Sequence, residues 1–189
     1  MTPLPTDQNA SRRVWRLGDQ VDTDALAPGR YMHLAVADIA PHCLSSLRPE
    51  FAAEVTPGDV IVAGRNFGLG SSREQAAGVL RELGVAAVIA QSYGGVFWRN
   101  AINLGLLVLS CDCIEDIADG DRIGVDVAGN RLIRGDGSRR ACEPIPDFLL
   151  EIVAAGGLLA HLRARIARGE LAASARATRN GQGTAPGAG

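Results

Sequence analysis

Residues 59–80 read Asp59-Val60-Ile61-Val62-Ala63-Gly64-Arg65-Asn66-Phe67-Gly68-Leu69-Gly70-Ser71-Ser72-Arg73-Glu74-Gln75-Ala76-Ala77-Gly78-Val79-Leu80. The run from Asp59 to Ala63 is short, apolar and set between Pro57-Gly58 and Gly64, the pattern of a buried strand. A polar, glycine-bearing loop follows. From Arg73 to Leu83 the small and apolar residues Ala76, Ala77, Leu80 and Leu83 recur at helical spacing, and Val85 to Ala90 is again a β-branched run. Strand, loop, helix and strand in that order define an α/β unit.

Outward from this unit the alternation continues. Gly94 to Leu104 reads as a second helix ended by Gly105, and Leu106 to Leu109 as a further strand, so a parallel or mixed sheet flanked by helices is expected. Upstream, Val14-Trp15-Arg16-Leu17 is a first strand closed by Gly18-Asp19. Downstream the pattern changes to hairpins: Asp121 to Val127, a Gly129-Asn130 turn, Arg131 to Arg134, and an Asp136-Gly137 turn. Phe148 to Arg168 reads as helix interrupted at Gly156-Gly157. Residues 1–11 and 169–189 are poor in large apolar residues and read as tails around one domain over 12–168. No period of 20 to 50 residues repeats, which argues against a solenoid.

The composition excludes several classes of function. The chain has 189 residues, 47% of them hydrophobic and 21% charged, enough for a sizeable core. All 19 basic residues are Arg, so mechanisms that need a Lys nucleophile, a Schiff base or a P-loop Lys are out. A net charge of −2 lacks the basic surplus that nucleic acid requires, and no stretch is apolar enough for a membrane span. Cys43, Cys111, Cys113 and Cys142 form no metal-binding pattern, and the first twenty residues lack the apolar core of a secretory signal. A cytoplasmic protein with reduced thiols is expected.

Chemistry concentrates in the loop at 64–75. Gly68 and Gly70 let the backbone bend closely around a ligand, and Ser71 or Ser72 can cap the helix whose third position is Glu74 or Gln75. Arg73, read in the first helical turn, carries a charge the helix dipole disfavours there, which points to a guanidinium required by an anion. Phosphate and carboxylate are equally served, and a plain capping turn beside a solvated Arg uses the same residues. Two nucleotide motifs fail directly: Arg73 stands where a dinucleotide fingerprint needs its third small residue, and a Walker A motif needs Lys.

Near the N-terminus, Asp22-Thr23-Asp24 lies on a loop leading to Pro28-Gly29-Arg30-Tyr31-Met32-His33, which mixes carboxylates, Arg, Tyr and His. Ordinary turn chemistry accounts for Asp22. His42 and Cys43 fall on an expected helix and His161 on the last one, all read as packed or surface residues. Cys111-Asp112-Cys113 is too tight a spacing to hold a cluster by itself.

Taken together, Asp22-Thr23-Asp24, Pro28-Gly29-Arg30-Tyr31, Pro57 to Gly64, the Asn66 to Glu74 loop, Arg99-Asn100-Ala101-Ile102-Asn103-Leu104-Gly105-Leu106, and the closing Pro146 to Ile152 with Gly156-Gly157-Leu158 resemble the small subunits of 3-isopropylmalate dehydratase. The likeness is to the compact type shared with homoaconitase and runs in order from about residue 13 to about 165. It implies the swivelling β/β/α domain of the aconitase superfamily on a separate polypeptide. A large subunit would bind the [4Fe-4S] cluster, and this chain would bind none. The implied reaction isomerises 2-isopropylmalate and 3-isopropylmalate through an alkene in leucine biosynthesis.

By the same resemblance Ser71 is the base that takes the proton from carbon. Arg73 holds a substrate carboxylate, and Ser72, Asp24, Arg30 and His33 complete the substrate site. Three positions depart from the family pattern: Leu69 in place of Cys, Gln75 in place of His, and His33 in the loop that separates substrates. Two alternatives therefore stand beside the main reading. One is a homoaconitase-like subunit acting on another alkylmalate. The other is a non-catalytic module that keeps the fold.

Overall fold

A computed structural model describes residues 11–170 except Cys113, so the expectations for the two tails fall almost wholly outside the described residues. Strands β1 (Arg12–Arg16), β2 (Val60–Ala63), β3 (Ala87–Ala90), β4 (Leu107–Ser110), β5 (Arg122–Asp126), β6 (Arg131–Arg134) and β7 (Arg139–Ala141) form one sheet in the order β4-β3-β2-β1-β5-β6-β7. The four strands on the β4 side pair parallel, and β1, β5, β6 and β7 pair antiparallel. The sheet is therefore mixed, as expected. All residues of β2 and β3 are buried, which is why their sequences run apolar without alternation.

Among the described residues seven α-helices accompany the strands: α1 (Thr23–Leu26), α2 (Val36–Ile39), α3 (Phe51–Glu54), α4 (Glu74–Glu82), α5 (Gly95–Leu104), α6 (Asp147–Ala154) and α7 (Leu158–Ala167). The two crossover helices, α4 and α5, lie against each other, and α5 meets α6 and α7. Gly105 ends α5 in a left-handed conformation and Gly156-Gly157 separates α6 from α7, both where the sequence punctuates them.

Local differences from the sequence reading have local causes. Asp22-Thr23-Asp24 is not simply loop, because Asp22 accepts from the Ala25 N–H at 2.7 Å and starts the one-turn helix α1. His42 ends a 3-10 turn over Ala40–His42 and Cys43 follows it, Pro41 having tightened the turn. Helix α4 begins at Glu74, so Arg73 precedes it in extended backbone and neither Ser71 nor Ser72 caps it.

Trp15 sits in the core with no exposed surface. Its ring packs nearly perpendicular to that of Phe51 with centroids 4.9 Å apart, and its indole N–H donates to the buried carboxylate of Asp59 at 3.0 Å. Thr56 also donates to Asp59, from its N–H at 3.1 Å and its hydroxyl at 3.0 Å, so this buried polar group is satisfied. The sheet curls until the chain just after β7 reaches the end of β4, where the Glu143 N–H donates to the Ser110 carbonyl at 2.8 Å. No helix among the described residues is long and apolar enough to cross a membrane.

Candidate functional site

The glycine loop is held like an extra strand between two other segments. On one side Gly68 N–H donates to Val21 O at 2.7 Å and Thr23 N–H to Leu69 O at 2.9 Å; on the other, Gly94 N–H donates to Phe67 O at 2.8 Å. Gly68 has φ +72°, and a Cβ there would stand 2.2 Å from Cγ of Phe97. Only glycine lets the loop lie flat on that ring. Leu69 is half-buried at this seam, and its carbonyl is what ties the loop to α1.

This docking sets the serines against α1. Ser71 is exposed, yet its Oγ is 3.4 Å from Oγ1 of Thr23, a hydroxyl on a residue only 2% exposed. Thr23 belongs to the site and is absent from the residues singled out in the sequence. Its position between Asp22 and Asp24 reads as turn chemistry, and the contact with Ser71 spans 48 residues.

Arg73 does not enter the helical turn that makes a cation unfavourable. Its guanidinium reaches α1, where Nη1 donates to Asp24 Oδ1 and to the Ala27 carbonyl at 3.1 Å. Asp24 also accepts from the Gly29 N–H at 2.9 Å. The Arg73 hydrogen bond, then that N–H and to a smaller degree the charge of Arg30, hold the Asp24 carboxyl below its ordinary value of 3.8. A Cβ on Gly29 would stand 3.1 Å from Asp24 Oδ1 and 3.2 Å from Arg73 Nη2, so the guanidinium lies against bare backbone.

Asp24, Gly29 and Arg30 line a cavity of about 320 Å³ with Pro28, Ser45 and Ser46. The structure thus gathers Asp24, Arg30 and Arg73, and joins Ser71 to them through Thr23. Ser72 and His33 are exposed nearby in sequence, and among the described residues no hydrogen bond or ion pair engages either side chain. Cys43, Cys111 and Cys142 are buried and in no disulfide, and burial pushes the Cys43 thiol far up, as expected of an inert residue. Among the described residues no three His, Cys, Asp or Glu side chains gather as metal ligands.

The fold and the docked loop define a domain of the aconitase C-terminal type, and the description of that domain matches residues 50–113. The chain is 45% identical to a 3-isopropylmalate dehydratase small subunit of Lachnospira eligens, over 83% of this chain and 96% of that one. It is 47% identical to a homoaconitase small subunit of Thermus thermophilus, over 78% of this chain and 91% of that one. A solved structure of 3-isopropylmalate dehydratase (LeuD) from Methanocaldococcus jannaschii superposes with a TM-score of 0.80 at 39% identity, covering 84% of this chain and 96% of that chain. The chain belongs to the family of 3-isopropylmalate dehydratase and homoaconitase small subunits.

Proposed function

We propose that this chain is the small subunit of a hydro-lyase that interconverts 2-isopropylmalate and 3-isopropylmalate, working with a large subunit, and that the Gly70 to Arg73 loop is its share of the active site. The observation that supports this most is the docking of that loop on α1. It turns one hydroxyl outward against a buried second hydroxyl and places one guanidinium beside the same helix.

Chemically, a serine hydroxyl is a weak base unless its alkoxide is stabilised by fixed donors and positive charge. Ser71 Oγ is the group that takes the proton from the substrate carbon. Thr23 Oγ1, 3.4 Å away, is placed to donate to the Ser71 alkoxide, whose charge is neutralised as it takes that proton. Arg73 binds a substrate carboxylate through its planar fork. Asp24 keeps that fork oriented meanwhile. Among the described residues, hydroxyls, a guanidinium and three buried thiols, of which only Cys111 and Cys142 meet, do not suit an iron–sulfur cluster, so the [4Fe-4S] group is assigned to the large subunit. Cytoplasmic location follows from the same reading.

The near-equal identity to dehydratase and homoaconitase small subunits, 45% and 47%, keeps a homoaconitase-like substrate with a distal carboxylate as a second reading. The test is reconstitution with the large subunit. Ser71→Ala should lower kcat by roughly two to four orders of magnitude, the usual range for a lost general base, while assembly is intact. Turnover near the wild-type value would remove Ser71 from the reaction.

A further inference from the structure

The cavity beside Arg30 has a rear wall that the proposed chemistry does not use. Its pieces are Ser45 and Ser46, presented by the segment that follows the Ala40–His42 turn. That segment is firmly seated. Leu44 has no exposed surface, adopts φ +58°, and donates its N–H to Ala25 O of α1 at 2.8 Å. A buried, branched residue in the left-handed region is held there only by surroundings that over-determine it.

From this wall His42 lies flat on Tyr31, with ring centroids 3.8 Å apart and planes 12° from parallel. Tyr31 closes the 3-10 turn Gly29–Tyr31, and Cζ of its neighbour Arg30 stands 4.7 Å from the Tyr31 ring centroid. Among the described residues neither the Tyr31 hydroxyl nor the His42 ring makes a hydrogen bond, and both side chains are only half-buried. Tyr31 packs partly against the core, and the His42 stack is the ring contact that joins the Arg30 to His33 turn to the fixed wall.

We propose that His42 is a positioning residue for substrate selection: it fixes Tyr31, and through Tyr31 it fixes Arg30 over the cavity that receives the variable end of the substrate. This rests on the functional reading above. Ser71 and Arg73 are held by α1 and by the glycine loop, so proton transfer does not depend on the stack.

The experiment uses the complete two-subunit complex and compares His42→Ala, His42→Gln and His42→Phe on isopropylmalate and on a carboxylate-ended analogue. Loss of the ring in the Ala and Gln variants should raise KM by about three- to tenfold, the range that one aromatic pair supports, with kcat within about twofold. The ratio of catalytic efficiencies on the two substrates should move with it. His42→Phe keeps the stack and should restore both values. Unchanged KM and ratio in the Ala and Gln variants, loss confined to kcat, or failure of Phe to rescue would overturn the proposal. So would Ala and Gln variants that fail to fold while Phe folds, because the stack would then be a folding element. A wild-type complex inactive on both substrates would sink the functional reading along with it, whereas an active wild type with indifferent variants sinks the positioning role alone.

Discussion

Arg73 shows how a residue can be recognised for an incomplete reason. The sequence presents it as a cation placed against a helix dipole, and the structure moves it one residue before α4, where its guanidinium crosses to Asp24. The proposed role in binding a substrate carboxylate therefore rests on the residue type, not on its helical position. Thr23 was illegible for the opposite reason, since nothing local marks a hydroxyl whose partner is 48 residues away. His33 is exposed beside the cavity turn, so substitutions there should leave stability unchanged and test its proposed role in selection. His33→Val should favour isopropylmalate over a carboxylate-ended analogue, and His33→Arg should reverse the preference. A distal charge pair worth on the order of 1 to 3 kcal/mol would change the efficiency ratio several-fold to about a hundredfold. Equal ratios in all three complexes would place selection on the large subunit.

Elements with a full periodic signature were legible, and elements of a single turn were not. Helices α4 and α5 and strands β2 to β4 lie within one or two residues of their sequence readings, because burial on the sheet imposes their patterns. Helices α1, α2 and α3 have four residues each, too few for a repeat to show. The Asp22 cap and packing hold α1, and packing alone holds α2 and α3, neither of which has a side-chain cap. At this scale the glycine loop is the sensitive part. Gly68→Ala adds a Cβ 2.2 Å from the Phe97 ring and does so at φ +72°. Left-handed strain and overpacking together predict a loss of about 2 to 5 kcal/mol, read as a lower denaturation midpoint. The displaced loop should also cut turnover more than the stability loss alone explains. A variant with wild-type stability would mean that Phe97 swings aside freely.

Across the whole molecule, charge pairs bind segments that the sequence keeps apart. Arg48 donates to both carboxylate oxygens of Asp119 at 3.1 Å and to Glu50, and it also reaches the Arg16 carbonyl at 3.2 Å. The Arg48 hydrogen bond, helped by the Arg16 N–H, keeps the Asp119 carboxyl below 3.8. At Asp126 the Gly129 N–H does so first and Arg131 second. Because these carboxyls are lower in the folded chain than when unfolded, their contribution is complete above about pH 4 and disappears as pH falls through the depressed values. The denaturation midpoint should thus be flat from neutrality to about pH 4 and fall below it. The deficit of an Asp126→Asn variant should shrink over the same interval, and a gap that stays constant down to pH 2 would contradict the assignment.

The strand order was also beyond the sequence, since β1 lies between β2 and β5 through contacts over 40 residues apart. The closing of the curl at Ser110 and Glu143 then matters for company the molecule keeps. An exposed strand rim is a template on which other chains can add and grow into aggregates. Here the end of β4 is already engaged by its own chain, and the outermost β7 is three residues long with two arginines, Arg139 and Arg140. Neither rim offers a long apolar ladder. Association by strand addition is disfavoured, which directs recognition of other chains to loops and helix faces instead.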